Sequence, residues 1–161
     1  MTEITQEIIL KNIQYCSESG RLYWIRPKKG RKLGVPIGKL RIDGRRELMI
    51  NYKKYLTAHV VWMIHHGVWP KDTGLEIDHH NQCKSDDRIE NLRLATHSEN
   101  NHNRYELNGS RGVYKCGNKW RARIVVNGQK IHLGYFYSKE EARENYITAT
   151  TKYFGEFACP W

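Results

Sequence analysis

Between Glu76 and Arg104 the chain reads EIDHHNQCKSDDRIENLRLATHSENNHNR, and few backbones can satisfy that order of residues. After Gly74, LEIDHH is short and apolar enough for a strand. NQCKSDDRIE is a polar turn region, and NLRLA suits a second strand. Thr96 then precedes Glu99 in the T-x-x-E pattern of a capping box, so a helix is expected through HSENNHNRYEL, stopping near Asn108-Gly109. Residues 75–107 therefore read strand–loop–strand–helix.

That order gathers a small set of reactive side chains. Asp78 and His79 are adjacent at the end of the first strand, where neighbouring side chains point to opposite faces. Asn91 follows Asp78 by thirteen residues, and Asn100 follows Asn91 by nine. Asn100 falls in the first turns of the helix, where it can fold back over the hairpin. Asp78 and Asn100 would then offer two oxygens to one divalent cation, with water and phosphate completing the shell, as Mg²⁺ is usually held. An imidazole titrates near neutrality, so His79 can take a proton from water. Asn91 would cross-link the loop and orient His79. Ligand, base and two amides are a minimal set for metal-assisted phosphodiester cleavage.

Charge supports a polyanionic partner. The 161 residues carry a net +10 with a pI near 9.5. The excess is uneven: residues 1–70 carry +8, residues 71–109 carry −3, and residues 110–161 carry +5. An acidic island between basic blocks suits a cation site flanked by phosphate contacts.

The segment before the motif reads as short elements. Ile4, Ile8, Ile9 and Ile13 suit an amphipathic helix over 4–14, and GRLYWI a strand. The run from Arg26 to Lys32 is a basic loop able to touch phosphates. GKLRIDGRRELMINYKKYLTA alternates well enough for two or three strands, with a turn at Asp43-Gly44. Thr57 is expected to cap the helix AHVVWMIHHG; His59, His65 and His66 on it are assigned to packing and surface.

From Ser110 the pattern changes. RGVYKC, WRARIVV and KIHLGYFY suit three strands, with turns at Gly117-Asn118 and Asn127-Gly128. Ser138 caps a final helix ending at Gly155. Trp120, Ala122, Ile124 and Val126 share one face of the middle strand, and Arg121, Arg123 and Val125 the other. In the third strand Ile131 and Leu133 face inward, and Lys130 and His132 outward. One apolar and one basic face suit a sheet that lies in the major groove.

The Asp78-His79, Asn91 and Asn100 spacing, with AHVVWMIHHGVWP, IDHHN and DDRIENLRLAT around it, resembles the HNH endonuclease family, over most of residues 15–107. The resemblance implies a beta-beta-alpha-metal module. His79 would be its general base, Asp78 and Asn100 its metal ligands and Asn91 its structural amide. The implied products carry 5′-phosphate and 3′-hydroxyl ends. Asn at the third position is similar to the phage and intron-homing branch. Arg111–Val113, Trp120–Ile124, Leu133–Phe136 and Glu140–Ala142 resemble the apetala-type (ethylene-response-factor-like) DNA-binding domain, whose sheet reads DNA. That likeness implies Arg111, Tyr114, Arg121, Arg123, Lys130, His132 and Tyr135 as DNA contacts. Tyr114 and Cys116 stand where the plant proteins often carry arginines, so no base preference follows.

The expectation is thus an α+β chain of two modules. Residues 1–107 would form the nuclease domain, with its core at 75–107. Residues 108–161 would form a three-stranded antiparallel sheet packed on one helix. Together they suggest a DNA endonuclease of the phage homing type, using one Mg²⁺ or Mn²⁺, acting on double-stranded DNA as a monomer or weak dimer. A DNA-binding regulator with an inactive nuclease fold and an RNA-directed nuclease are the rival readings. Cys16, Cys83, Cys116 and Cys159 are scattered, with no C-x-x-C pair, and suit free thiols in a reducing compartment. No signal peptide or membrane span is visible, so a cytoplasmic protein is expected.

Overall fold

The structure is a computed structural model, and it describes residues 4–103 and 111–158. Packing divides the chain into two units, Met1–Ala95 and Thr96–Trp161.

In the first unit, α1 (Gln6–Leu10) is shorter than the expected helix over 4–14. Its last turn closes with the Asn12 amide on the Ile9 carbonyl, and Ile13 opens β1 (Ile13–Cys16) instead. A five-residue helix holds few hydrogen bonds. Pairing of β1 with the aromatic β2 (Arg21–Trp24) buries Ile13 to 2% exposure and overrides the helical period. β3 (Pro36–Ile37) completes that sheet beyond the basic loop. There Arg31 lies over the Trp24 ring at 4.0 Å and donates to Asn12 Oδ1 at 3.0 Å. β4 (Lys39–Leu40), β5 (Arg46–Ile50) and β6 (Lys53–Leu56) form a second sheet.

β6 runs directly into α2 (Thr57–His66), and this corrects the expected cap. The N-cap is Leu56, with no side-chain hydrogen bond, while Thr57 lies inside the helix at 1% exposure. Strand residues leave no slack for a capping turn, so packing sets the start. Val60 and Val61 are indifferent helix formers, but both are fully buried. Burial of such side chains is worth about 1.5–3 kcal/mol each, against a propensity cost below about 0.7 kcal/mol. With Ile9, Ile13 and Leu22 they form the core of this unit. Gly67 ends α2 at φ 70°, donating to the Met63 carbonyl.

β7 (Glu76–His79) and β8 (Leu92–Ala95) form an antiparallel ribbon in which Asp78 faces Arg93 and His79 faces Leu92. A single 3₁₀ turn, Ile89–Asn91, leads into β8, so Asn91 sits just ahead of the strand.

The second unit begins with α3 (His97–His102). Both arms of the capping box form: Thr96 Oγ1 accepts from Glu99 N at 3.2 Å, and Glu99 Oε2 accepts from Thr96 N at 2.8 Å. The expected continuation over Arg104–Leu107, the stop at Asn108-Gly109 and the boundary between 107 and 108 lie outside the described residues. β9 (Val113–Cys116), β10 (Lys119–Val126) and β11 (Gln129–Phe136) form an antiparallel sheet in the order β11-β10-β9. α4 (Lys139–Phe154), capped by Ser138, covers one face with Ala142, Tyr146 and Ala149. Gly112 belongs under that helix, since a Cβ there would run into the Tyr146 ring.

β11 departs from simple alternation. Ala122 pairs with Gly134 but Arg123 pairs with His132, so Leu133 is an extra residue. Gly134 takes φ 137° at this bulge. The slip turns Phe136 onto the core face and leaves Tyr135 exposed beside Arg121. Strict alternation from Ile131 and Leu133 would have done the reverse. Among the described residues no helix is long and apolar enough to cross a membrane, and Cys16, Cys83 and Cys116 are free thiols. Cys159 lies outside the described residues.

Candidate active site

The ribbon β7–β8 and the loop between its strands carry three of the four motif residues. Asp78 and His79 are 4% and 6% exposed. Their side chains leave opposite faces of β7, so they meet different partners. Asp78 Oδ2 accepts from Arg93 Nε at 2.8 Å, directly across the ribbon. A buried carboxylate without a counter-charge would cost several kcal/mol, so Arg93 is a condition of Asp78 being there.

Asn91 closes the loop. Its Oδ1 accepts from the Asn81 amide at 2.9 Å, and its Nδ2 donates to the Asp86 carbonyl at 2.8 Å. Its own carbonyl accepts from the His80 amide at 2.9 Å. One buried side chain therefore ties both ends of the loop, and His80 N holds the strand end that carries His79. Asp86 pairs with Arg88 through two contacts of 2.8 Å, and the Arg88 guanidinium holds the Asp86 carboxyl down at about 2.

His79 shares its face of β7 with groups the sequence does not flag. Its Nε2 lies 3.2 Å from Asp87 Oδ1. A carboxylate can only accept, so the ring N–H donates. Asp87 is 2% exposed. The two line a cavity of about 10 Å³ with Arg45, Arg46, His59 and Lys84. Burial pushes the His59 imidazole and the Arg46 guanidinium down, and the Asp87 carboxylate partly offsets both. His59 thus sits with His79, whereas His65 edges onto Tyr15 and His66 stacks on Trp62. Nothing in a 3.6-residue pattern separates the three. Asp87 hides in the polar run SDDR, where it looks no different from Asp86.

Asn100, the fourth motif residue, lies half-buried on α3 in the second unit. α3 is held there by His102, whose ring stacks on Phe154 at 3.6 Å and whose Nε2 donates to the Val125 carbonyl at 3.2 Å. Burial, with Arg111 nearby, pushes the His102 imidazole down. Asn103 is buried as the C-cap of α3.

The outer face of the second unit gathers most of the implied DNA contacts. Tyr114, Arg121 and Tyr135 form a row across β9, β10 and β11. Arg121 and Arg123 lie 5.8 and 5.4 Å from the Tyr114 ring. His132 touches Tyr135 at 4.8 Å, and Lys130 is exposed opposite Val125. Arg111 stands apart from the row and donates to the His102 carbonyl at 3.4 Å. It lines a cleft of about 750 Å³ with His97, Tyr114 and Arg123.

Two comparisons bear on these residues. Residues 55–102 match the family model described as HNH endonuclease, which takes in β7, β8 and α3. The chain is 31% identical over 109 residues to an uncharacterized HNH endonuclease of Acanthamoeba polyphaga mimivirus. That stretch is 67% of this chain and 57% of the viral protein, so the chain spans little more than half of its relative. No solved structure matches. The chain thus carries an HNH endonuclease domain, matched over residues 55–102.

Proposed function

We propose that the protein is a metal-dependent, site-directed DNA endonuclease of the free-standing homing type. The observation that carries this reading is the pair of adjacent, buried and separately partnered residues Asp78 and His79 on β7, inside the matched family segment. Asp78 and Asn100 are the proposed ligands of one divalent cation, Mg²⁺ or Mn²⁺. A carboxylate and an amide oxygen are hard donors that suit either ion. Among the described residues no cluster of three His, Cys, Asp or Glu side chains could hold a metal. When bound, the cation would neutralise charge at the scissile phosphate.

The chain's own residues do the rest. His79 accepts a proton from the attacking water, and Asn91 keeps the loop closed behind it. The face of Tyr114, Arg121, Arg123, Lys130, His132 and Tyr135 contacts duplex DNA, with Arg111 beside it. Its mixture of cations and exposed aromatics supports that role. The beta-beta-alpha-metal arrangement, in which Asn100 joins Asp78, belongs to this proposal.

The test is supercoiled plasmid incubated with the protein and either Mg²⁺ or EDTA, beside an Asp78→Ala/His79→Ala double variant. Nicked or linear DNA is expected only with metal and only from the native chain. Tight binding without cleavage across several divalent ions would favour a DNA-binding regulator. Cleavage of RNA in preference to DNA would replace the substrate class.

A further inference from the structure

We infer that Asp87 is a positioning residue for His79, holding its ring in the tautomer whose Nδ1 carries the lone pair. The inference rests on the reading of His79 as the general base and adds the group that orients it. Three observations carry it. Asp87 Oδ1 receives the His79 Nε2–H at 3.2 Å, which leaves Nδ1 as the unprotonated nitrogen of the neutral ring. Asp87 is 2% exposed, and among the described residues its Oδ2 finds no hydrogen-bond partner. A half-satisfied buried carboxylate is a costly device for holding a loop that Asn91 already closes.

The third observation is that the backbone at Asp87 is fixed from three sides. Gly20, at φ 68°, packs so tightly that a Cβ there would lie 2.7 Å from the Asp87 carbonyl carbon and 2.5 Å from Arg88 N. The Tyr15 hydroxyl accepts from Ile89 N at 2.8 Å. Asn91 Nδ2 holds the Asp86 carbonyl at 2.8 Å. The β1–β2 hairpin, remote in sequence, thus sets where this carboxylate stands. His79 is fixed from the other direction by its place in the β7–β8 ribbon. A base held between a rigid strand and a rigid carboxylate loses little orientation before reaction.

The test uses the full chain with ¹⁵N-labelled histidine. A long-range ¹H–¹⁵N correlation spectrum reads the tautomer of the neutral His79 ring without any cleavage. The native chain is expected to carry the proton on Nε2. In Asp87→Ala that preference should collapse, and in Asp87→Asn, whose amide oxygen still accepts, it should persist in part. On plasmid DNA, kcat should fall on the order of 100-fold in Asp87→Ala and less in Asp87→Asn, with KM and DNA affinity unchanged. A native ring protonated on Nδ1, or an Asp87→Ala variant with native kcat, would overturn the inference. If the native chain cuts nothing, the proposed function fails, while the spectrum still decides the Asp87–His79 pairing.

Discussion

Asp86 and Asp87 are neighbours of the same type with opposite fates. Asp86 pairs at the loop surface with Arg88, while Asp87 is sealed against His79. Sequence spacing singles out Asp78, His79, Asn91 and Asn100 as candidates because they fall within one strand–loop–strand–helix pattern. It cannot separate Asp86 from Asp87, since the distinction arises from Gly20 and Tyr15, some seventy residues earlier in the chain. The two aspartates also predict different experiments. The folded-state pKa of Asp86 is lowered from 3.8 to about 2, so its pairing stabilises the fold fully above about pH 4 and is lost as pH falls through about 2. Melting temperatures recorded from pH 5 to pH 2 should therefore fall less steeply in Asp86→Asn than in the native chain. His79→Ala should abolish nicking and leave DNA affinity largely intact; near-native cutting by that variant would remove His79 from the chemistry.

Elements were legible where local chemistry alone decides them. The capping box of α3, the Ser138 cap of α4 and the two hairpin turns of the second sheet all depend on residues within a few positions. α1 and the start of α2 depend instead on burial against distant partners, and there the helical pattern of 4–14 and the expected cap at Thr57 gave way. The bulge at Leu133 is a third case. Alternation places Tyr135 inside, and only the observed pairing brings it beside Arg121. Two predictions belong at this scale. Thr96→Ala removes one arm of the box and should cost about 1 kcal/mol in stability. Because α3 bears Asn100, cleavage should fall more than DNA binding does in a side-by-side gel-shift and nicking assay. Neutralising Arg121 and Arg123 together should reduce the slope of log affinity against log salt by about 2. An unchanged slope would show that the sheet does not touch phosphate.

At the scale of the whole molecule, the packing boundary at Ala95–Thr96 gives α3 to the second unit, whereas the pattern of strand, loop, strand and helix assigns it to the first. The motif is continuous in sequence, but the side chains that hold its helix come from farther along. His102 binds α3 to β10 and α4 through Val125 and Phe154. Phe154→Ala should therefore raise hydrogen exchange at the α3 amides along with those of β9–β11, and spare the β7–β8 ribbon. Equal exposure of α3 and the ribbon would place the helix with the first unit. The Asp78–Arg93 pair has a different consequence. The proposed ligand carboxylate already has a cation of the protein's own across the ribbon, so this part of the fold does not wait for an ion to neutralise it. Small zinc domains lose their structure to a chelator because metal binding is their folding energy. Here EDTA should silence the protein without melting it, and activity should return as soon as the ion does.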